Sequence, residues 1–316
     1  MQGLVLKSTG RWYNLLLNDN EMVTAAIRGK IRMEGLKTTN PIAAGDRVEV
    51  SIDKTQGDEI HYWIEKVLPR NNYIVRKSTN LSKQMQILAA NIDRAYLLVT
   101  LQSPITQPAF VDRFLVAAES FRIPTTILFN KVDIYDDFGL ATLEHWMEVY
   151  KKIGYSCYAI SAEKPETISF LKEEIKGKQV MISGNSGVGK TTLVNSLDNS
   201  LSLRTGEISI AHEQGKHTTT FAEMHPLKTG GFIIDTPGIR AFGLVDLDKE
   251  HYAHYFPEMR SKLGECKFHN CKHLNEPKCA VKTAVDKGEI DGDRYLHYCQ
   301  LMNEDVNEVY RKNERI

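Results

Sequence analysis

Gly184-Asn185-Ser186-Gly187-Val188-Gly189-Lys190-Thr191 follows the apolar run QVMIS (179–183) and precedes a short segment of helical character. Strand, glycine-rich loop and helix are the context in which the pattern GxxxxGK[ST] binds phosphate. The glycines let backbone N–H groups curl around phosphate oxygens. The Lys190 amine can reach the β and γ oxygens, and the Thr191 hydroxyl can ligate Mg2+. Thr192 opens the same helix beside them.

Around this loop, strand-like and helix-like stretches alternate. AYLLVT (95–100), TTILF (125–129) and SCYAIS (156–161) are separated by helical patterns over 108–121 and 140–152. TISFLKEEI (167–175) is a third helix, and two further strands fall near 221–224 and 231–234. This spacing predicts a parallel α/β sheet covered on both faces. Asp235-Thr236-Pro237-Gly238 ends the last of these strands, about 45 residues beyond the P-loop. An aspartate there holds Mg2+ through water, and the Gly238 N–H faces a γ-phosphate. A plain turn is the bland alternative for such a tetrapeptide. Between the two motifs lies GKHTTT (215–220). Its threonines, Thr219 first among them, suit a switch segment that binds Mg2+ and senses the γ-phosphate. A β-prone threonine run would look the same.

Asn130-Lys131-Val132-Asp133 follows TTILF. A carboxylate at Asp133 accepts from both guanine N1–H and the exocyclic amine, a donor pair that adenine lacks. A backbone N–H at Ser161-Ala162 can meet guanine O6. These motifs point to GTP and GDP rather than ATP. Their order is unusual, with the base-reading motif before the phosphate loop where ordinary Ras-like proteins have it after. A circular permutation explains this, the old chain ends joining near 176–178 and a new break opening after DTPG. Permutation preserves a fold whose ends lie close together.

The first 70 or so residues are short β-prone runs separated by turn residues, which suggests a five-stranded OB-type barrel. Arg28, Lys30, Arg32, Lys37 and Arg47 are interleaved there with Trp12, Tyr13, Tyr62 and Trp63. That mixture suits oligonucleotide contact, or simply a solvated basic face. Over all 316 residues, 40 Lys and Arg balance 40 Asp and Glu, so no polyanion partner follows from net charge. No signal peptide or membrane span is evident, and a cytoplasmic protein without a membrane partner is expected. Beyond Leu244 the chain turns helix-prone and rich in Cys and His. Cys266, Cys271, His273 and Cys279 form C-x4-C-x-H-x5-C. Three thiolates and an imidazole suit one tetrahedral structural Zn2+. His269 is a rival to His273, while Cys157 and Cys299 are read as buried thiols.

GNSGVGKT, GKHTTT, DTPG, NKVD and CxxxxCxHxxxxxC together resemble the ribosome small subunit-dependent GTPase A family, over nearly the whole chain. The resemblance implies three parts: a barrel over 1–75, a permuted GTPase domain over 76–245 and a zinc-bearing, mainly helical region over 246–316. It implies a late assembly factor that binds the small ribosomal subunit and its rRNA and hydrolyses GTP slowly until the subunit stimulates it. A monomer is expected. Ras-type proteins orient water with a glutamine after the DxxG glycine, whereas this chain has Ile239. His217 is the nearest replacement in sequence, unless it is an ordinary loop histidine. Arg204 shares the stretch, but no arginine finger can be assigned. The rival functions are a GTPase switch that regulates a protein partner without RNA, and an ATP-using P-loop enzyme.

Overall fold

The computed structural model describes residues 1–29, 41–54, 60–77, 85–201, 222–235 and 247–304. Arg204, His217, Thr219, Gly238 and Ile239 lie outside the described residues, as does the side chain of Asp235.

Near the N-terminus apolar and polar side chains alternate, the period of strands with one buried face. Of β1 (Gln2–Ser8), β2 (Tyr13–Leu17), β3 (Met22–Ile27), β4 (Arg47–Lys54) and β5 (Ile60–Val67), the middle three follow this rule, whereas β1 and β5 depart from it. They enclose a small core that includes Val5, Tyr13, Leu15, Val48 and Ile64. β1, β2 and β3 form an antiparallel meander, and β3 runs parallel to β5. β4 pairs with both β5 and β1, which closes the expected OB-type barrel.

A two-stranded sheet then follows, β6 (Tyr73–Lys77) against β7 (Met85–Ala90), where the sequence reading placed no strands. The polar stretch RKSTNLSKQMQ (76–86) hides their period. This hairpin seats the barrel. The Ala90 N–H donates to Ala44 O at 2.9 Å, and Asn91 Nδ2 donates to Gly45 O at 2.9 Å. Gly45, at φ +91°, has no room for a Cβ because Ala90 O lies in its place. Beneath it, Arg70 donates through Nε and Nη2 to both carboxylate oxygens of buried Asp46, each at 2.6 Å.

The larger layer is a sheet in the order β10-β9-β8-β11-β13-β12. Its strands are β8 (Arg94–Val99), β9 (Thr125–Phe129), β10 (Ser156–Ala159), β11 (Gln179–Ser183), β12 (Glu223–Pro226) and β13 (Phe232–Asp235). Helices α1 (Pro108–Ser120), α2 (Asp137–Ile153), α3 (Pro165–Ile175) and α4 (Lys190–Leu197) connect and cover them. Every residue of β9 and β11 is buried, the polar Thr125, Thr126, Gln179 and Ser183 included, as strands covered on both faces require. The permutation junction is a tight turn at 176–178, where the Lys178 N–H donates to Ile175 O at 2.9 Å. One expectation needs correcting, because β12 runs antiparallel to β13. A five-residue turn joins them, and so short a link cannot make a parallel crossover. The outer edge of β12 pairs with β1, and Lys7 Nζ lies 2.5 Å from Glu223 Oε2. Barrel and α/β sheet are therefore one 11-stranded sheet.

The C-terminal region is a 3-10 helix over Lys249–Tyr255 with α5 (Pro257–Arg260), α6 (Ala280–Asp286) and α7 (Gly292–Asn303). It is fastened to α1. Arg294, 2% exposed, donates from Nη1 to Asp112 and from Nε to Glu258 at 2.6 Å. His297 Nδ1 lies 2.5 Å from Asp112 Oδ2, and Tyr150 Oη donates to Asp112 Oδ1 at 2.9 Å. Cys157 is buried as expected, and burial pushes its thiol up to about 12. Cys299 is only half-buried, since its position on α7 is not fully covered. Among the described residues no helix is long and apolar enough to cross a membrane.

The two ion-pair clusters should differ sharply in weight. Arg294→Ala takes the guanidinium away from buried Asp112 and half-buried Glu258 and should cost about 3–5 kcal/mol. Lys7→Ala breaks a pair whose side chains are over a third exposed and should cost about 1 kcal/mol or less. Trp146 sits edge-on to Tyr150 with ring centroids 6.3 Å apart, so urea unfolding followed by tryptophan fluorescence reports the first site. Equal midpoints for the two variants would contradict the assignment.

Candidate nucleotide site and metal cluster

The phosphate loop begins where β11 ends, and its backbone curls because three glycines take left-handed angles: Gly184 (φ +147°), Gly187 (+79°) and Gly189 (+97°). A side chain at Gly184 would strike Leu98 O and Val188, and one at Gly189 would strike the amide nitrogen of Asn130. Lys190 reaches back across the loop, its Nζ donating to Gly184 O at 2.9 Å and Asn185 O at 2.7 Å. Asn185 is half-buried, Ser186 and Gly187 are exposed, and Val188 is fully buried, so the loop is anchored by Val188 with its tip open. Thr191 is buried and Thr192 half-buried at the start of α4.

Asn130, buried at 1% exposure, joins the separated motifs. Its Nδ2 donates to Val188 O in the phosphate loop at 2.7 Å. Its Oδ1 accepts the Ala162 N–H at 2.8 Å. Lys131, in the left-handed region at φ +65°, turns the chain so that Asp133 is presented to solvent. The Ser161 hydroxyl beside Asp133 holds its carboxyl below the usual carboxylate range, so it stays ionised as an acceptor. The Ser161 N–H donates to Thr167 Oγ1 at 3.0 Å. Both N–H groups expected to meet guanine O6 are thus engaged within the protein, and Ala162 must share or exchange its bond with Asn130 to do so.

The sequence reading missed the supporting loop after β8. Lys131 Nζ donates to Ser103 O at 2.6 Å, and Pro104 backs Gly187. Tyr135 Oη bridges the Leu101 N–H, at 2.9 Å, and Asn130 O, at 2.7 Å. The available signal was its place at the carboxyl end of a parallel strand, where α/β proteins bind ligands.

In the C-terminal region the ligand atoms of Cys266, Cys271, His273 and Cys279 all lie within 4.8 Å of one another. His273 Nδ1 is 3.6 Å from Cys266 Sγ and 3.4 Å from Cys279 Sγ, and those two sulfurs are 3.9 Å apart. A tetrahedral Zn2+, with bonds of about 2.3 Å to sulfur and about 2.0 Å to nitrogen, has edges of roughly 3.5–3.8 Å. The donor set and its spacing fit such a metal. His269 is exposed and outside the cluster, which decides the rivalry for His273. Backbone N–H groups of Ala280 and Lys282 donate to Cys266 and Cys279 sulfur. Tyr295 and Tyr298 hydroxyls hold the carbonyls of His273 and Lys272, each at 2.7 Å.

These parts define a class: a P-loop GTPase domain in permuted motif order, joined to a five-stranded barrel and a helical region with a Cys3His cluster. The family model for the RsgA GTPase matches residues 67–245, and that for the RsgA N-terminal domain matches residues 2–58. The chain belongs to the RsgA GTPase family. It is 48% identical to the small ribosomal subunit biogenesis GTPase RsgA of Christiangramia forsetii over 99% of both chains. It is 45% identical to that of Bacteroides fragilis, over 98% of this chain and 99% of the other. YjeQ from Thermotoga maritima superimposes with a TM-score of 0.76 at 32% identity, covering 95% of this chain and 96% of that one. YloQ, described as a circularly permuted GTPase, gives 0.71 at 29% identity, covering 97% and 95%.

Gly189→Ala tests the tie between the motifs. The added methyl should expel the Asn130 amide and break one buried hydrogen bond, at about 1–3 kcal/mol. Affinity for a fluorescent GDP analogue should fall roughly 5- to 150-fold. Native affinity in a well-folded variant would show that the contact does not organise the site.

Proposed function

We propose that this GTPase is a late-stage assembly factor of the small ribosomal subunit. The observation that carries this reading is the match along essentially full length to relatives named for small-subunit biogenesis. In the proposed division, a barrel over 1–75 and a helical region over 246–316 bind rRNA, and the GTPase domain over 76–245 reports nucleotide state. Exposed Trp12 with Arg11 over its ring, at 5.7 Å, supports RNA contact on the barrel. The proposed setting is the cytoplasm, with the protein acting as a monomer.

In the proposed mechanism Asp133 selects guanine, and Asn130, Lys131, Ser161 and Ala162 shape its pocket. Lys190 gives up its loop carbonyls for β- and γ-phosphate oxygens, and the backbone N–H groups of 184–189 receive the rest. Mg2+, when bound, neutralises charge on the transferring phosphoryl group; Thr191, with Asp235 and Thr219, would hold it. Gly238 would face the γ-phosphate. Ile239 cannot orient water, so intrinsic hydrolysis is slow, and His217 takes that role when the subunit is bound. Co-sedimentation with purified small subunits should be stronger with a non-hydrolysable GTP analogue than with GDP. His217→Ala should abolish subunit stimulation in single-turnover assays. Failure to co-sediment with either nucleotide would overturn the assembly role, and an unchanged stimulated rate would remove His217.

The metal of the Cys3His cluster is proposed to be one structural Zn2+. Burial pushes the Cys271 thiol up to about 12 and His273 below its ordinary value, so without a cation the cluster prefers neutral ligands. A metal must displace thiol protons, and acid returns them. Atomic absorption should find one zinc per chain at pH 7.5, lost progressively below about pH 5. Retention of the metal near pH 4 would argue against thiolate ligation.

A further inference from the structure

The start of α2, just beyond the base-reading loop, turns large apolar side chains toward solvent. Phe138 is 81% exposed, Ile134 49% and Leu140 46%. The helix does not need them for the core, which it enters through Leu143 and Tyr150. The charge here has one sign. Residues 132–150 include Asp133, Asp136, Asp137, Glu144 and Glu148 and no lysine or arginine. Asp136 is accounted for, since it caps the Gly139 N–H at 2.8 Å, and acidic groups in a first turn suit the helix dipole. Neither reason covers Glu144 or the outward Phe138. Lys131 and Lys164 act on Asp133, the Lys131 amine being held by Ser103 O, and Lys151 and Lys152 lie at the far end of the helix.

Such a surface repels phosphates, so nucleic acid is the wrong occupant. It complements a protein segment that carries cations and an apolar side chain. The patch is also wired to the site. The Asp136 N–H donates to Gln102 Oε1 at 3.3 Å, and Tyr135 ties the same turn to Leu101 and Asn130. A segment seated on Phe138 therefore bears on the loop that reads the base.

We propose that the face of α2 around Phe138 docks a basic, apolar-tipped protein segment, and, resting on the assembly role proposed above, that this segment belongs to a protein of the small ribosomal subunit. The full-length chain carrying photoreactive p-benzoylphenylalanine in place of Phe138 is irradiated with purified small subunits and a GTP analogue. The expected crosslink is to a lysine- or arginine-rich stretch of a ribosomal protein. A crosslink to rRNA, to a second copy or to the chain itself, or none despite co-sedimentation, overturns the proposal. A second measurement does not depend on subunits. A synthetic twelve-residue peptide of alternating lysine and leucine should bind the native protein at least about tenfold more tightly than Phe138→Ser/Leu140→Ser. The double variant should keep native stability and GDP affinity, because both side chains are exposed. Equal peptide binding by the two proteins also overturns the proposal. Absent co-sedimentation would defeat the assembly role alone, while the peptide comparison would still decide the docking surface.

Discussion

A single buried carboxamide organises the proposed nucleotide site. Asn130 has one acceptor oxygen and an amide donor, and both are spent inside the protein, on Ala162 and on Val188. The partners lie 32 and 58 residues away, so no local propensity brings them together. At this depth an unpaired amide or carbonyl is costly, which forces the three loops into one arrangement. The contact depends on position in the sheet and not on the order in which the chain visits it. That independence is why motifs in permuted order can still come together as the proposed guanine-nucleotide site. Gly189 follows from the same constraint, since a side chain there would occupy the space of the Asn130 amide.

The flanking parts are mounted differently. The barrel continues the main sheet through β12, the strand that precedes β13 and its DTPG sequence. The C-terminal region instead grips α1 through Asp112, Arg113 and Glu119, which meet Arg294, Glu304 and Arg260. α1 begins just after the loop that carries Ser103 and Pro104, so that attachment stands close in the chain to the backing of the phosphate loop. Of these contacts the Arg294 cluster is the least exposed to solvent. Its charges would be costly to bury singly, and together with the Tyr150 hydroxyl and His297 they satisfy one another. The Arg260–Glu119 pair, with the arginine more than half exposed, contributes orientation more than energy.

Some features were misread from sequence for identifiable reasons. The β6–β7 hairpin went unseen because its polar residues carry no apolar period, while the pairing that makes it a sheet is non-local. The direction of β12 depends on the length of the turn after it, and a strand's own composition says nothing of direction. The loop of Gln102, Ser103 and Pro104 contains no motif; only its contacts with Lys131, Gly187 and Asp136 give it a place in the site.

Much was determined by the chain alone. Glycines at 184, 187 and 189 are legible in the chain as the turn residues that a phosphate loop before a helix requires. The short apolar-rich stretches at 125–129 and 179–183, alternating with helical patterns, read as strands of a doubly covered sheet. The Cys-x4-Cys-x-His-x5-Cys spacing brings its ligands together within fourteen residues. These are short-range facts, set by sterics, periodicity and donor chemistry. Tertiary structure alone decided that His273 and not His269 joins the cluster, that the Ala162 N–H is taken by Asn130, and that Phe138 is left facing water. Each of those depends on which distant groups arrive at the same place, and that is settled by packing rather than by neighbours in the chain.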